Sequence, residues 1–253
     1  MKNVEKFLRE INKVYETNMA KVRIGNKSDG GYVVLDELCK KVDTIYSLGI
    51  GDDVSFEKDF LQKYPQAWFR MFDPTIEGLP ERNDRFIFYK SEFSGDKYSR
   101  LIQDNSLLKM DTEYNEWETL LSIDEKIYEK FDQIIVEFHI VDIESKTGLT
   151  PYFTKFYREI YDKFNDVLFG LYYRILQGLN EVFYIFHIHP NNSLSMITVG
   201  EYSFPPLLEV SFVRKDLVKA YPVLLMNPSN RLDYPNKIDR PDLFDSYPWG
   251  VEI

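Results

Sequence analysis

Cysteine is nearly missing from this sequence. Cys39 is the only one in 253 residues, so no intrachain disulfide can form and paired-cysteine metal or redox sites are excluded. Histidine is scarce as well, with three copies. No window approaches the roughly 18 uninterrupted apolar residues that a membrane-spanning helix needs. The amino terminus, Met1-Lys2-Asn3-Val4-Glu5-Lys6, runs into a charged helix rather than an apolar leader, so a cytoplasmic protein is expected. Positive charge is in deficit: Lys+Arg 31 against Asp+Glu 41 gives a net charge of −10. A surface of that sign repels phosphate backbones and anionic lipids, so neither nucleic acid nor a membrane is an expected partner. Linkers, repeats and low-complexity segments are lacking too. At roughly 150 residues per domain, the reading is one domain over 1–253, with a helix-and-hairpin lid over 1–43 and an irregular tail over 227–253.

What is present is alternation. Val4, Phe7, Leu8, Ile11, Val14 and Tyr15 recur at helical spacing, as in a helix laid on a core. Asp29-Gly30-Gly31 between short apolar runs reads as a hairpin turn. Thr44 to Leu48 is then a continuous apolar run, the pattern of a strand buried on both faces of a parallel sheet. Further strands are expected at Trp68–Phe72, Arg85–Tyr89, Leu107–Met110, Ile134–Phe138, Phe183–Ile188 and Leu207–Val213. Helical patterns at Ser55–Tyr64, Glu113–Leu121, Tyr152–Phe164 (with Thr150 as cap and Pro151 at its first position) and Leu171–Leu179 separate most of them. The fold class is therefore α/β, a doubly wound, mostly parallel sheet. No helix divides the last two strands, and turn-rich Pro190-Asn191-Asn192 and Pro205-Pro206 make that pair antiparallel. The tail carries Pro228, Pro235, Pro241 and Pro248, pinned by Leu232, Tyr234, Leu243, Phe244 and Trp249.

The first buried strand ends in Gly49-Ile50-Gly51-Asp52-Asp53, and Asp73 ends the second. Gly-x-Gly at such a turn admits a ligand close to the backbone, and an acid about 20 residues on can hold ribose hydroxyls. The third glycine of the dinucleotide fingerprint is missing. Two carboxylates beside the glycines repel a pyrophosphate but suit a sulfonium and an α-ammonium group, which points to S-adenosylmethionine. The plain alternative is a tight strand-to-helix turn that binds nothing.

Several runs carry a family resemblance: Asp29-Gly30-Gly31-Tyr32-Val33-Val34, Tyr46-Ser47-Leu48-Gly49-Ile50-Gly51-Asp52-Asp53-Val54-Ser55-Phe56-Glu57, Phe72-Asp73-Pro74-Thr75, Leu108-Lys109-Met110-Asp111-Thr112-Glu113 with Glu116-Trp117, Val136-Glu137-Phe138-His139, and Phe186-His187-Ile188-His189 with Asn191-Asn192, followed by Leu232-Asp233-Tyr234-Pro235-Asn236. In this order they resemble the FkbM-type and methyltransferase-like class I S-adenosylmethionine-dependent methyltransferases. The resemblance implies a seven-stranded sheet with the last strand pair antiparallel and a cofactor over the carboxyl ends of the first, second and fourth strands. It also implies roles: Gly49, Gly51 and Asp52 along the methionine moiety, Asp73 with Pro74 at the ribose, Phe93 and Ser94 at the adenine, and Asp111 facing the methyl group. Asp29 and Gly30 would close over the cofactor, with Arg23 and Lys27 near its carboxylate; a plain hairpin is the equal alternative. The sequence departs from the family at Glu92-Phe93-Ser94, often Gly-Leu-Ser, and at Glu113-Tyr114, often Glu-Gly. The first departure falls on the adenine contacts and the second on the acceptor pocket.

Methyl transfer is an in-line displacement, so positioning dominates, and a hydroxyl acceptor must also lose a proton. His139, His187 and His189 fall at or near the ends of long strands, and histidine is the side chain suited to that proton at neutral pH. His189 and His139 are the expected catalytic residues, with Asp111; His187 and Trp117 read as core. Glu113, Tyr114, Glu137, Asn191 and Asn192 are the expected acceptor contacts. Asp111 and Glu113 could instead cap a helix. A metal held by Asp111, Glu137 and the histidines is the lesser reading, below one in which Glu137 orients a histidine, so no metal is expected. The expected activity is methylation of a small polar acceptor, from the resemblance an oxygen of a sugar, nucleotide sugar or capsule or natural-product precursor; O-methyl phosphoramidate-type and nitrogen acceptors need the same cofactor site. The rivals are a nicotinamide-dependent Rossmann oxidoreductase and a catalytically silent binding module. A homo-oligomer is left open.

Overall fold

The structure, a computed structural model, describes residues 2–140, 154–223, 231–243 and 249. Along the chain come α1 (Lys2–Ile11), β1 (Tyr15–Thr17), the hairpin of β2 (Lys21–Gly25) and β3 (Gly31–Leu35), α2 (Asp36–Cys39), β4 (Thr44–Leu48), α3 (Ser55–Lys63), β5 (Trp68–Phe72) and β6 (Phe86–Tyr89). They are followed by α4 (Gly95–Tyr98), β7 (Ser106–Met110), α5 (Glu116–Ser122), α6 (Glu125–Tyr128), β8 (Phe131–His139) and α7 (Thr154–Val182). Last are β9 (Phe183–Pro190), the hairpin of β10 (Ile197–Val199) and β11 (Tyr202–Phe204), β12 (Leu207–Arg214) and β13 (Ala220–Pro222).

Seven strands form one sheet in the order β6-β5-β4-β7-β8-β12-β9. The run from β6 to β8 is parallel, and β12 lies antiparallel between β8 and β9. This is the doubly wound, mostly parallel seven-stranded sheet with its last strand pair antiparallel that is expected from the sequence. Alternation along each central strand feeds two cores: Tyr46, Leu108 and Val136 face one side, Ile45, Leu107 and Ile135 the other. Burial on both faces explains why these strands read as unbroken apolar runs. On the first side, Phe7 of α1 meets Phe169 of α7 edge-on at 5.3 Å, so α1 is a buttress; the wall over the strand ends comes from the hairpin instead. Register levels the carboxyl ends, because Leu48 pairs with both Phe72 and Met110. Gly49, Asp73 and Asp111 therefore emerge side by side.

Several expected boundaries move. The helix expected from Glu113 begins at Glu116, because Glu113 and Tyr114 take φ of 51° and 84°, outside the helical region. Leu171–Leu179 belongs to one long helix, α7; the start expected at Thr150, Pro151 and Tyr152 lies outside the described residues. The strand expected from Arg85 starts at Phe86, and the hairpin turn expected at Asp29-Gly30-Gly31 spans residues 26–30, with Gly31 already the first residue of β3. Of the tail anchors, Trp249 is fully buried, while Phe244 lies outside the described residues.

Candidate functional site

A cleft of about 570 Å³ opens over the carboxyl ends of β4, β5 and β7, roofed by the β2–β3 hairpin. Its floor is the turn after β4. Gly49 has φ 73°, and a Cβ there would lie 1.6 Å from the Asp111 carbonyl oxygen, so no side chain fits. Gly51 has φ 55° with nothing within 4 Å of a built Cβ; that position looks into open cleft. Asp73 holds the turn in shape. Its Oδ2 accepts from the backbone N–H groups of Ile50 at 2.8 Å and Gly51 at 2.9 Å, and its Oδ1 from the Thr75 N–H at 2.8 Å and hydroxyl at 2.6 Å. Burial pushes the Asp73 carboxyl up, but these donors, Gly51 N–H first, outweigh it and hold it below its ordinary value.

Eight carboxylates line the cleft, those of Asp29, Asp52, Asp53, Glu57, Asp73, Glu92, Asp111 and Glu113, against one lysine, Lys109. Lys109, on β7, is buried; its Nζ donates to the Gly49 carbonyl at 3.1 Å and lies 5.4 Å from the Tyr32 ring centroid. Behind it Glu57 accepts from the Ser47 hydroxyl at 2.5 Å, and burial pushes its carboxyl up despite Lys109.

A second layer of acids stands behind Asp111. The Tyr32 hydroxyl donates to Asp111 Oδ2 at 3.0 Å and reaches Glu137 Oε2 at 3.5 Å, while Asn191 Nδ2 donates to Glu137 Oε1 at 2.7 Å. Burial drives Glu137 well above the ordinary glutamate value, reinforced by Asp111, Glu209 and Asp29. The same burial, with Asp111 next, raises the Tyr32 hydroxyl. Glu209 accepts from Asn236 Nδ2 at 2.7 Å, and its Oε2 lies 3.3 Å from His189 Nδ1.

The expected site residues divide. Asp29, Gly30, Gly49, Gly51, Asp52, Asp73, Pro74, Phe93, Asp111 and Glu113 all line the cleft. Ser94 does not; it sits at the start of α4. His189 is fully buried against Glu209 on β12 and does not line the cleft. Asn191 and Asn192 are buried too. Asn192 Nδ2 donates to the carbonyls of Lys237 and Arg240 at 2.9 and 3.1 Å, anchoring the tail. Arg23 is committed to the hairpin, donating to the Asn26 and Ser28 carbonyls at 2.8 Å each, so it does not reach over the cleft. His187 Nε2 lies 3.0 Å from Asp233 of the tail.

His139, at the end of β8, stands behind the cleft wall. Its Nδ1 is 3.1 Å from Glu116 Oε1 and its Nε2 3.3 Å from Glu113 Oε2. Burial lowers the imidazole pKa, but Glu116 outweighs it and the net position is above the ordinary value. Glu116 itself is fully buried and also accepts from the N–H groups of Thr112 and Tyr114 at 2.9 and 3.2 Å. The Tyr114 ring packs on His139 with centroids 4.8 Å apart. Lys109, Glu57 and Glu116 were not expected in these places. A lysine inside Leu107-Leu108-Lys109-Met110 was the one readable signal, since a charge interrupting a doubly buried strand needs a reason.

No known protein family matches the sequence, and no curated protein does either. Among solved structures, the chain is similar to one in a fibrillarin/Nop5p complex, with TM-score 0.41, 11% identity, and coverage of 68% of this chain and 72% of that one. It is similar to the plantazolicin methyltransferase BpumL in complex with SAH, with TM-score 0.37, 12% identity, and coverage of 68% and 76%. Against an O-methyltransferase family protein from Burkholderia thailandensis the TM-score is 0.34 at 10% identity, over 70% of this chain and 52% of the other, so it spans about half of that protein's length. At these scores the likeness says nothing about activity.

Proposed function

We propose that this protein is an S-adenosylmethionine-dependent methyltransferase acting on a small polar acceptor, an oxygen of a sugar, nucleotide sugar or related capsule or natural-product precursor. The observation that carries the cofactor is the charge of the cleft. Eight carboxylates against one lysine, at a strand-end turn whose second glycine leaves open volume, favour a ligand with a sulfonium and an ammonium group and repel a dinucleotide pyrophosphate. The volume, about 570 Å³, lies within the range of small-ligand sites. When bound there, the cofactor supplies an electrophilic methyl group. Gly49, Gly51 and Asp52 would border its methionine portion, Asp73 and Pro74 its ribose side, Phe93 its adenine and Asp29 with Gly30 the roof. Lys109, the cationic group of the lining, suits the α-carboxylate. Asp111, which lines the cleft, would face the methyl and receive the acceptor's proton; Glu113 and Tyr114 would flank the acceptor.

Calorimetric titration with S-adenosylmethionine beside NADH tests the reading. Binding of the first at one per chain and none of the second is expected; NADH binding, or heat from neither, overturns it.

A further inference from the structure

An acidic cleft poses a difficulty for an oxygen-rich acceptor, above all one bearing phosphate, and the wall of the cleft offers an answer. Asp111, Glu113 and His139 each turn one ligand atom toward the others, all within 4.8 Å. His139 is 4% exposed, and its Nδ1 faces the Glu116 carboxylate, which two backbone N–H groups and the Thr112 hydroxyl at 3.1 Å hold in place. A carboxylate on one imidazole nitrogen fixes the proton there and leaves the other as a lone-pair donor, the outer-shell arrangement of metal-bound histidines. The second oxygen of Glu116, Oε2, is buried without a hydrogen-bond partner. The position also matters. Asp111 and Glu113 line the large cleft, while Tyr114, one residue on, lines a second cavity of about 220 Å³ walled by Ile140, Leu194, Met196 and Leu207.

We propose that Asp111, Glu113 and His139 bind a divalent cation at the border of the two cavities, and that this ion holds the acceptor oxygen. One nitrogen and two carboxylates suit Mn²⁺, Zn²⁺ or Fe²⁺. With the cation bound, its two charges cancel those of Asp111 and Glu113, so this wall no longer repels an anionic acceptor whose apolar part enters the second cavity. The role toward an acceptor rests on the methyltransferase reading; the ion site does not. This set replaces the one considered from sequence, because Glu137 and His189 turn to Tyr32, Asn191 and Glu209 instead.

Mn²⁺ alone is the probe, titrated into the chelator-treated full chain and followed by the loss of the free-ion electron paramagnetic resonance signal. One tight ion per chain is expected, with echo modulation from a single imidazole nitrogen. Glu113→Gln, at an exposed side chain, and His139→Gln should each weaken binding at least about tenfold, with unchanged near-ultraviolet circular dichroism as the check on folding. Absence of binding overturns the proposal. So does an ion lacking nitrogen coupling or indifferent to both substitutions, which would report the all-oxygen group of Asp29, Glu137 and Glu209 or the acidic surface. S-adenosylhomocysteine titrated into the metal-free protein separates the two readings: heat from it without Mn²⁺ binding removes the ion alone, and Mn²⁺ binding without that heat removes the cofactor alone.

Discussion

Gly49 and Gly51 sit two residues apart and fail differently when filled. A Cβ at Gly49 would strike the Asp111 carbonyl, whereas one at Gly51 meets nothing. Gly49→Ala should therefore lose stability well beyond the roughly 1–2 kcal/mol that a left-handed residue costs, measured by urea unfolding. Gly51→Val should keep its fold within about that cost and lose S-adenosylhomocysteine binding in calorimetry. Asp73 carries a pH signature. Its folded-state pKa is depressed, so its stabilising contribution is present above the unfolded value of about 3.9 and is lost as pH falls below it. Asp73→Asn should flatten that acid limb of stability, seen as a smaller drop in the urea midpoint between about pH 5 and pH 3. Equal limbs in both proteins would remove the assigned hydrogen bonds. Much of this was legible beforehand: the two glycines, Asp73 and Asp111 could be placed because a turn after a buried strand constrains residue type. Glu57, Glu116 and Glu209 were not, since a buried glutamate in sequence looks like a solvated one until its donors are folded around it.

Element by element, periodicity succeeded where burial is two-sided or amphipathic and failed at the seams. The five central strands and α3 emerge within a few residues of their expected ranges, whereas α5 starts three residues late because the chain turns left-handed at Glu113 and Tyr114, where the resembling family often has Glu-Gly. His189 stays out of the cleft because its ring is buried against Glu209 on the neighbouring β12, and strand spacing does not show which strand end is buried. α5 is fastened to β8 by Trp117, stacked between Phe138 at 4.3 Å and Tyr172 at 4.1 Å, with its Nε1 donating to the His139 carbonyl at 3.0 Å. Trp117→Ala should cost about 3–5 kcal/mol in chemical denaturation. A loss under about 1 kcal/mol would mean that α5 docks by its other contacts.

A chain of net charge −10 that gathers eight carboxylates in one cleft folds against its own repulsion. At about 0.1 M salt the screening length is roughly 10 Å, comparable to the spacing across such a cleft, so raising sodium chloride toward about 0.5 M should raise the melting temperature. A fall would show that ion pairs, not repulsion, dominate the balance. The strand order has a further consequence during synthesis. β8 and β9 are each paired on one side by β12, so until Arg214 leaves the ribosome both present bare edges, and β8 is buried along its whole length in the finished protein. At about 5–20 residues per second, the interval from His139 to Arg214 lasts about 4 to 15 s. For that time the nascent chain carries a nearly complete cleft beside an unfinished sheet edge, the kind of edge that recruits other strands, and it is then that chaperones would meet it.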